Sequence, residues 1–244
     1  MRLAVLSDIH ANLVALDAVL EDLSTQPAVD QTWVCGDIVG YGPQPNEVID
    51  RLRQNDVRAV MGNHDGAAVG LVDVAWFNEA AAAAIAWTAG VLTDGSREYL
   101  GALPECRAEG ELTAVHGSPR DPIWEYIVSA EVARANLAEF STRICLFGHT
   151  HYPVLYAAAT DGAVTRVATA AGSQTPLPDG RLMLNPGSVG QPRDGNRASS
   201  YAVLDLDTGS VEFRRVEYDI RRTQQLMRER QLPSWLAERL SYGR

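Results

Sequence analysis

The sequence predicts an α/β protein of two stacked, mixed β-sheets with helices on the outside. Two patterns carry this reading. The first third alternates short apolar strands with amphipathic helices, the order that builds a parallel sheet. After Pro104 the chain turns to a series of strands, several separated by Gly-containing turns, which supplies further strands without intervening helices.

Residues 2–6 (Arg-Leu-Ala-Val-Leu) form the first strand and end at a polar turn. Asn12 can cap a helix, because Leu13, Leu16, Val19, Leu20 and Leu23 recur at intervals of three and four. Residues 32–35 give the second strand, 45–54 a second helix and 57–61 a third strand. Residues 76–103 read as helical, with an alanine run at 80–84 and a break near Thr93-Asp94-Gly95. Residues 70–103 therefore make either a helical pair packed on the core or a lid over a site. Strands 105–109 and 111–116 form a hairpin about Gly110, and a helix near 130–140 precedes a strand at 143–147. Strands at 153–159, 163–169, 181–184, 200–206 and 210–217 follow, and an arginine-rich helical tail occupies 219–241. The pattern is consistent with one domain spanning 1–244.

Composition narrows the function. Hydrophobic residues make up 46% and charged residues 21%, as in an ordinary water-soluble chain. No apolar run approaches the roughly 20 residues that a membrane span needs. Residues 1–6 run into Ser7-Asp8 without a basic region or cleavage site, so a cytoplasmic location is expected. Cys35, Cys106 and Cys145 are widely spaced, and two lie inside strand-like runs, which predicts reduced, buried thiols. A net charge of −10 argues against coating a nucleic-acid polymer. The oligomeric state has no signature in the sequence.

Five polar clusters stand just past predicted strands, where open α/β sheets place their ligands. They are Asp8-Ile9-His10, Gly36-Asp37, Gly62-Asn63-His64-Asp65, His116-Gly117 and Gly148-His149-Thr150-His151. They contain all five histidines of the chain. A single histidine after a strand is usually a hydrogen-bonded surface residue, and a single Asp in a turn is usually a cap. The concentration of every histidine in such clusters reverses that reading. Asp8/His10 and His149/His151 are i, i+2 pairs, whose side chains share a face if the segments are extended. Imidazole, carboxylate and amide donors without thiolate suit Mn, Fe, Co, Ni or Zn in a catalytic site.

In this order the clusters resemble the calcineurin-like metallophosphoesterase superfamily. Asn185-Pro186-Gly187-Ser188 and Gln191-Pro192-Arg193-Asp194-Gly195 extend the likeness to its small bacterial phosphoesterases and phosphodiesterases. The resemblance implies a four-layer α/β/β/α sandwich and two divalent metal ions, with manganese favoured. Asp8, His10, Asp37 and His151 would hold one ion. Asp37, Asn63, His116 and His149 would hold the other, with Asp37 bridging. A metal-bridging hydroxide would attack phosphorus, and His64 would serve as general acid for the leaving oxygen. Two ions less two carboxylates leave a pocket of about +2, which explains how an acidic chain attracts phosphate. Asn63 and Arg193 would contact substrate; an exposed loop arginine is the competing reading for Arg193.

The segment after Gly36-Asp37 contains no arginine, Gly40 stands where protein phosphatases keep an Asp that orients the acid histidine, and Asp65 replaces a Glu. These departures favour a phosphodiesterase of small phosphate esters, cyclic or other nucleotides among them. A phosphomonoesterase or Ser/Thr protein phosphatase-like enzyme is the alternative. A non-catalytic interaction module on the same fold is the other, and retention of His64 speaks against it. Tyr41 and Trp124 are candidates for a pocket wall or for packing. Gly187-Ser188-Val189-Gly190 lacks the glycine a nucleophile elbow needs at 186.

Overall fold

A computed structural model describes residues 1–244. Two six-stranded sheets stack face to face and are flanked by helices. The first has the order β3-β2-β1-β11-β12-β9. Its strands are β1 (Arg2–Leu6), β2 (Gln31–Val34), β3 (Arg58–Ala59), β9 (Gln174–Pro176), β11 (Ser199–Asp205) and β12 (Ser210–Val216). The second has the order β4-β5-β6-β10-β7-β8. It contains β4 (Cys106–Glu109), β5 (Leu112–Val115), β6 (Ile144–Leu146), β7 (Pro153–Ala158), β8 (Val164–Arg166) and β10 (Arg181–Pro186). Both sheets are mixed: β1 runs parallel to β2 and antiparallel to β11, while β10 runs parallel to β6 and antiparallel to β7.

β1 shows why the layers form. Its alternate residues leave opposite faces, as the strand period requires. Leu3 and Val5 join Trp33, Leu112, Ile144 and Leu184 in the core between the sheets. Ala4 and Leu6 turn to the outer core, under α1 (Leu13–Ser24) and α2 (Pro45–Arg53). Asn12 caps α1, its side chain accepting from the Ala15 N–H at 3.2 Å. On the far side α6 (Ala130–Asn136) covers the second sheet through Ala133, which packs with Val115, Phe147 and Tyr156.

α3 (Asn63–Ala68), α4 (Glu79–Val91) and α5 (Asp94–Gly101) lie between β3 and β4. Leu100 of α5 enters the outer core. Ala81 and Ala84 of α4 pack with Tyr41, Met227 and Leu236, where α7 (Ile220–Glu229) and α8 (Ser234–Glu238) meet. The tail is thus two helices broken at Pro233, which cannot continue α7. The short edge strand β9 carries no alternating apolar signal and was not expected. Cys35 and Cys145 are buried and Cys106 is exposed; none is paired. No helix is long and apolar enough to cross a membrane.

Candidate metal centre

The five clusters converge at the ends of strands from both sheets. β1 delivers Asp8 and His10, β2 delivers Asp37, β5 delivers His116 and β6 delivers His149 and His151. Asn63 and His64 open α3. All eight side chains are buried, none more than 4% exposed.

The backbone that presents them differs from the extended segments expected. Asp8 (φ 52°), His10 (φ 50°), Asp37 (φ 52°), His149 (φ 65°) and His151 (φ 60°) are left-handed. They account for five of the nine non-glycine residues with positive φ, so this strain is concentrated at the site. Each such residue costs about 1–3 kcal/mol and persists only where its surroundings hold it. Ser188 does part of that: its hydroxyl donates to the Asp8 carbonyl at 2.7 Å. Asn185 donates to the Gly148 carbonyl at 2.6 Å. The His149/His151 pair consequently does not act as a two-pronged grip, whereas Asp8 and His10 stay in one cluster. His151 faces Asp8 and His10, whereas His149 faces His116 and Asp37.

Two acceptor clusters result. In the first, His10 Nδ1 lies 3.2 Å from the Val39 carbonyl and His151 Nδ1 lies 2.5 Å from the Gln191 carbonyl. A carbonyl only accepts, so both Nδ1 atoms carry the protons and both Nε2 atoms are bare lone pairs. These lone pairs sit 3.3 Å apart, with Asp8 Oδ1 at 3.2 Å from His151 Nε2. Neither Asp8 oxygen has a protein hydrogen-bond partner. Burial raises Asp8 to about 7, but one proton there would serve a single pair among three converging acceptors. A cation serves them all. In the second cluster His116 Nδ1 donates to the Cys35 carbonyl at 2.9 Å, turning Nε2 toward Asn63 Oδ1 (3.0 Å), His149 Nδ1 (2.9 Å) and Asp37 Oδ2 (3.4 Å). Rotating the Asn63 amide would put its NH2 3.0 Å from His116 Nε2 and 3.2 Å from Asp37 Oδ2, satisfying those two acceptors without an ion, while His149 Nε2 stays without a partner. The first cluster has no such remedy, and it decides the fit in favour of metal.

Asp37 sits between the clusters. Oδ1 accepts from the His64 N–H at 2.9 Å, at the start of α3, leaving Oδ2 3.6 Å from His10 Nε2 and 3.4 Å from His116 Nε2. Burial holds His10, His149 and His151 well below the ordinary imidazole range, so they are free bases ready to ligate. For His116 burial, the largest single effect, opposes protonation, yet Asp37, Asp8 and the Cys35 carbonyl together outweigh it and raise the group to about 9. A cation in that position would replace the proton.

His64 is held by packing. Its Nδ1 has no hydrogen-bond partner, and its ring meets Tyr41 (4.3 Å between centroids), His10 (4.9 Å) and Phe77 (4.9 Å, edge-on). Gly40, at φ +87°, lies directly beneath: a β-carbon there would stand 2.5 Å from His64 Nδ1. Burial lowers His64 to about 4. Asp65 does not touch the ring; it accepts from the Val39 N–H at 2.9 Å and the Gly62 N–H at 3.0 Å, clamping the loop to the start of α3.

The site opens to a cleft of ≈ 90 Å³ lined by Asp37, Asn63, His64, His149, His151 and Arg193 on the polar side. Tyr41, Trp76, Phe77, Trp124 and Tyr126 form the other wall. Arg193, open to either reading in the sequence, reaches the cleft; it donates to Gln191 Oε1 at 2.9 Å and its Nε has no partner. Of residues 70–103 only 76–78 and Ala81 line the cleft, while α4 and α5 pack on the core. Tyr126, which stacks on His149 at 3.8 Å and 21°, escaped the sequence reading because an isolated loop aromatic carries no periodic signal.

A family model for the calcineurin-like phosphoesterase superfamily domain matches residues 1–209. An uncharacterized protein of Methanocaldococcus jannaschii is 36% identical over 247 residues, 99% of this chain and 98% of that one. A symmetrical bis(5′-nucleosyl)-tetraphosphatase of Baumannia cicadellinicola is 40% identical over 62 residues, 25% of this chain and 22% of that protein. The crystal structure of a metallophosphoesterase from Sphaerobacter thermophilus superposes with a TM-score of 0.88 at 43% identity, covering 100% of this chain and 99% of that one. A hypothetical protein from Pyrococcus horikoshii shares the fold at a TM-score of 0.83 and 23% identity, over 100% and 98% of the two chains.

Proposed function

From the chain's membership of the calcineurin-like phosphoesterase superfamily, whose members are hydrolases of phosphate esters that use divalent metals, we propose a phosphodiesterase of small esters, nucleotides among them. The observation that carries the diester preference is the sparse cationic lining: Arg193 is the sole Lys or Arg among the cleft residues, and the segment after Gly36-Asp37 adds no second arginine to clamp a phosphate dianion.

The residues divide the work. Asp8, His10, Asp37 and His151 would hold one ion, and Asp37, Asn63, His116 and His149 the second, with Asp37 common to both sets. Divalent ions there supply Lewis acidity and lower the pKa of water to about 7. Manganese is our first choice among Mn, Fe, Ni, Co and Zn, all compatible with nitrogen and oxygen donors. Arg193 and the Asn63 amide orient the non-bridging phosphate oxygens. His64, on the cleft wall, hands a proton to the departing oxygen. Its imidazole is neutral in the free protein and takes up that proton beside the bound anion, whose charge favours the cationic form. Residues 1–244 act as one domain, working in the cytoplasm.

The test is metal-stripped protein reloaded with each of the five metals and offered a diester, a monoester, a 2′,3′-cyclic nucleotide, a dinucleoside polyphosphate and a phosphopeptide. The diesters are expected to turn over fastest. A preference for the monoester or phosphopeptide would favour the phosphatase alternative, and silence with every metal would favour the non-catalytic one. His64→Ala should lose about 10²–10⁴ in rate while retaining its metal; loss of metal would make His64 a ligand.

A further inference from the structure

One wall of the cleft remains unused by the chemistry above. Phe77 meets His64 at 4.9 Å and Trp124 at 5.1 Å, and Trp124 meets Trp76 at 6.2 Å, so a continuous row of rings leads outward from the acid end. Trp76 is 76% exposed, a costly placement for an indole that contributes little to the core. It sits on a one-turn 3-10 helix (Val74–Trp76) capped by Asp73, which accepts from the Ala75 N–H at 2.9 Å. Asn78 caps α4 immediately afterwards, accepting from the Ala81 N–H at 3.0 Å. Asn78 also lines the cleft, and its NH2 keeps its donor capacity.

We propose that Trp76 and Trp124 form a stacking platform for a planar aromatic arm of the ester, in biology a nucleobase, while the phosphate lies at the His64–Arg193 end of the same cleft. The assignment rests on the phosphoesterase reading and adds the part of the substrate that this reading leaves open. A separation of 6.2 Å at 40° is an ordinary contact between two aromatic side chains, so the indoles offer an outer face rather than a slot between them. Stacking on such a face tolerates any base, with the Asn78 amide placed to meet a base edge. A net charge of −10 argues against the long phosphate tracks that a polymer would need, which favours a free nucleotide or dinucleotide.

Adenosine 5′-monophosphate and ribose 5-phosphate differ only in the base, so their dissociation constants from the metal-loaded protein isolate the platform. Binding is expected to favour the nucleotide about 10-fold, the size of one base–aromatic stack. Trp76→Ala should bring the two affinities together by weakening the nucleotide alone, and Trp76→Phe should restore most of the difference. Benzyl phosphate separates a nucleobase from any aromatic ring: a nucleobase site binds it less tightly than the nucleotide. Equal affinities in the wild type, binding of neither monophosphate, tighter binding of benzyl phosphate, or an unchanged ratio in Trp76→Ala would overturn the assignment. Hydrolysis of a diester, measured on the same preparation, reports separately on the phosphoesterase reading.

Discussion

Gly40→Ala is the sharpest perturbation of the acid histidine, because it adds one methyl group and removes no polar atom. The new β-carbon would stand 2.5 Å from His64 Nδ1 and 2.9 Å from His64 Cβ and Cγ. Ordinary van der Waals contact begins near 3.4 Å, so the imidazole must retreat by 3.4 − 2.5, or 0.9 Å. Tyr41 and Phe77 already pack on the ring, which leaves a tilt away from the leaving oxygen as the escape. A misplacement of about 1 Å can cost a catalytic group about 10²-fold. The φ of +87° adds strain to any L-residue, about 1–2 kcal/mol. In a chain of this size that corresponds to a drop in Tm of about 2–8 °C. The assay is kcat on a reactive diester with metal-loaded protein, beside metal content by elemental analysis and a thermal melt. The expected result is kcat down about 100-fold with metal content unchanged. A kcat within a few-fold of wild type would show that His64 needs no such fixed placement. Loss of metal alongside activity would move the effect to the ligand loops.

Two further outcomes follow from the geometry. Saturating the stripped protein with metal at 100 times its Kd should add about 2.7 kcal/mol, or about 5–11 °C in Tm; Asp37→Asn, which alters the carboxylate between both clusters, should abolish that shift, and an undiminished shift would remove Asp37 from the ligand set. The second concerns the far side of the molecule, where Arg214 donates to Asp22 through Nε (2.8 Å) and Nη2 (3.0 Å) and Tyr201 donates to Asp22 at 2.6 Å. Arg214 chiefly holds the Asp22 carboxyl below its usual range, so its stabilisation is present above the ordinary carboxylate pKa and fades as pH falls through the depressed one. Arg214→Ala should cost about 1–3 kcal/mol at pH 7 by urea unfolding, and the gap to wild type should shrink at about pH 3; a gap independent of pH would mean that packing, not charge, dominates there.

Most helices and strands were legible because periodicity is a local property. Asn12 is an example: its side chain and the spacing of Leu13, Leu16 and Val19 lie within eight residues, and both the cap and the buried face follow. The chemistry was legible for a different reason, since histidine and aspartate past strand ends are expensive unless used. What could not be read was how the loops present those groups. The left-handed backbones at Asp8 and His151 leave no mark in a segment without glycine at those positions. His10 and His151 meet at 3.3 Å across 141 residues, a contact set by the stacking of two sheets rather than by either motif. The orientation of His64 was an open question because its support is a row of rings from Tyr41, His10 and Phe77, with no hydrogen bond to Nδ1. Gly40 reads as a lost partner in the sequence and as the space for the ring in the structure.

The pairing of β1 with β11 has a consequence for biosynthesis. β1 occupies the middle of its sheet, yet one of its edges is closed only by Ser199–Asp205, in the register Arg2↔Asp205 to Val5↔Ala202. During translation at about 5–20 residues per second, the first strand waits about 10–40 seconds for that partner. Throughout that wait a strand that is apolar on both faces presents an unpaired edge, which is the template for joining another chain. Ser188, which steadies the Asp8 loop, also emerges late. Slowed synthesis of the last fifty residues should therefore lower the yield of soluble protein more than slowed synthesis of the first fifty.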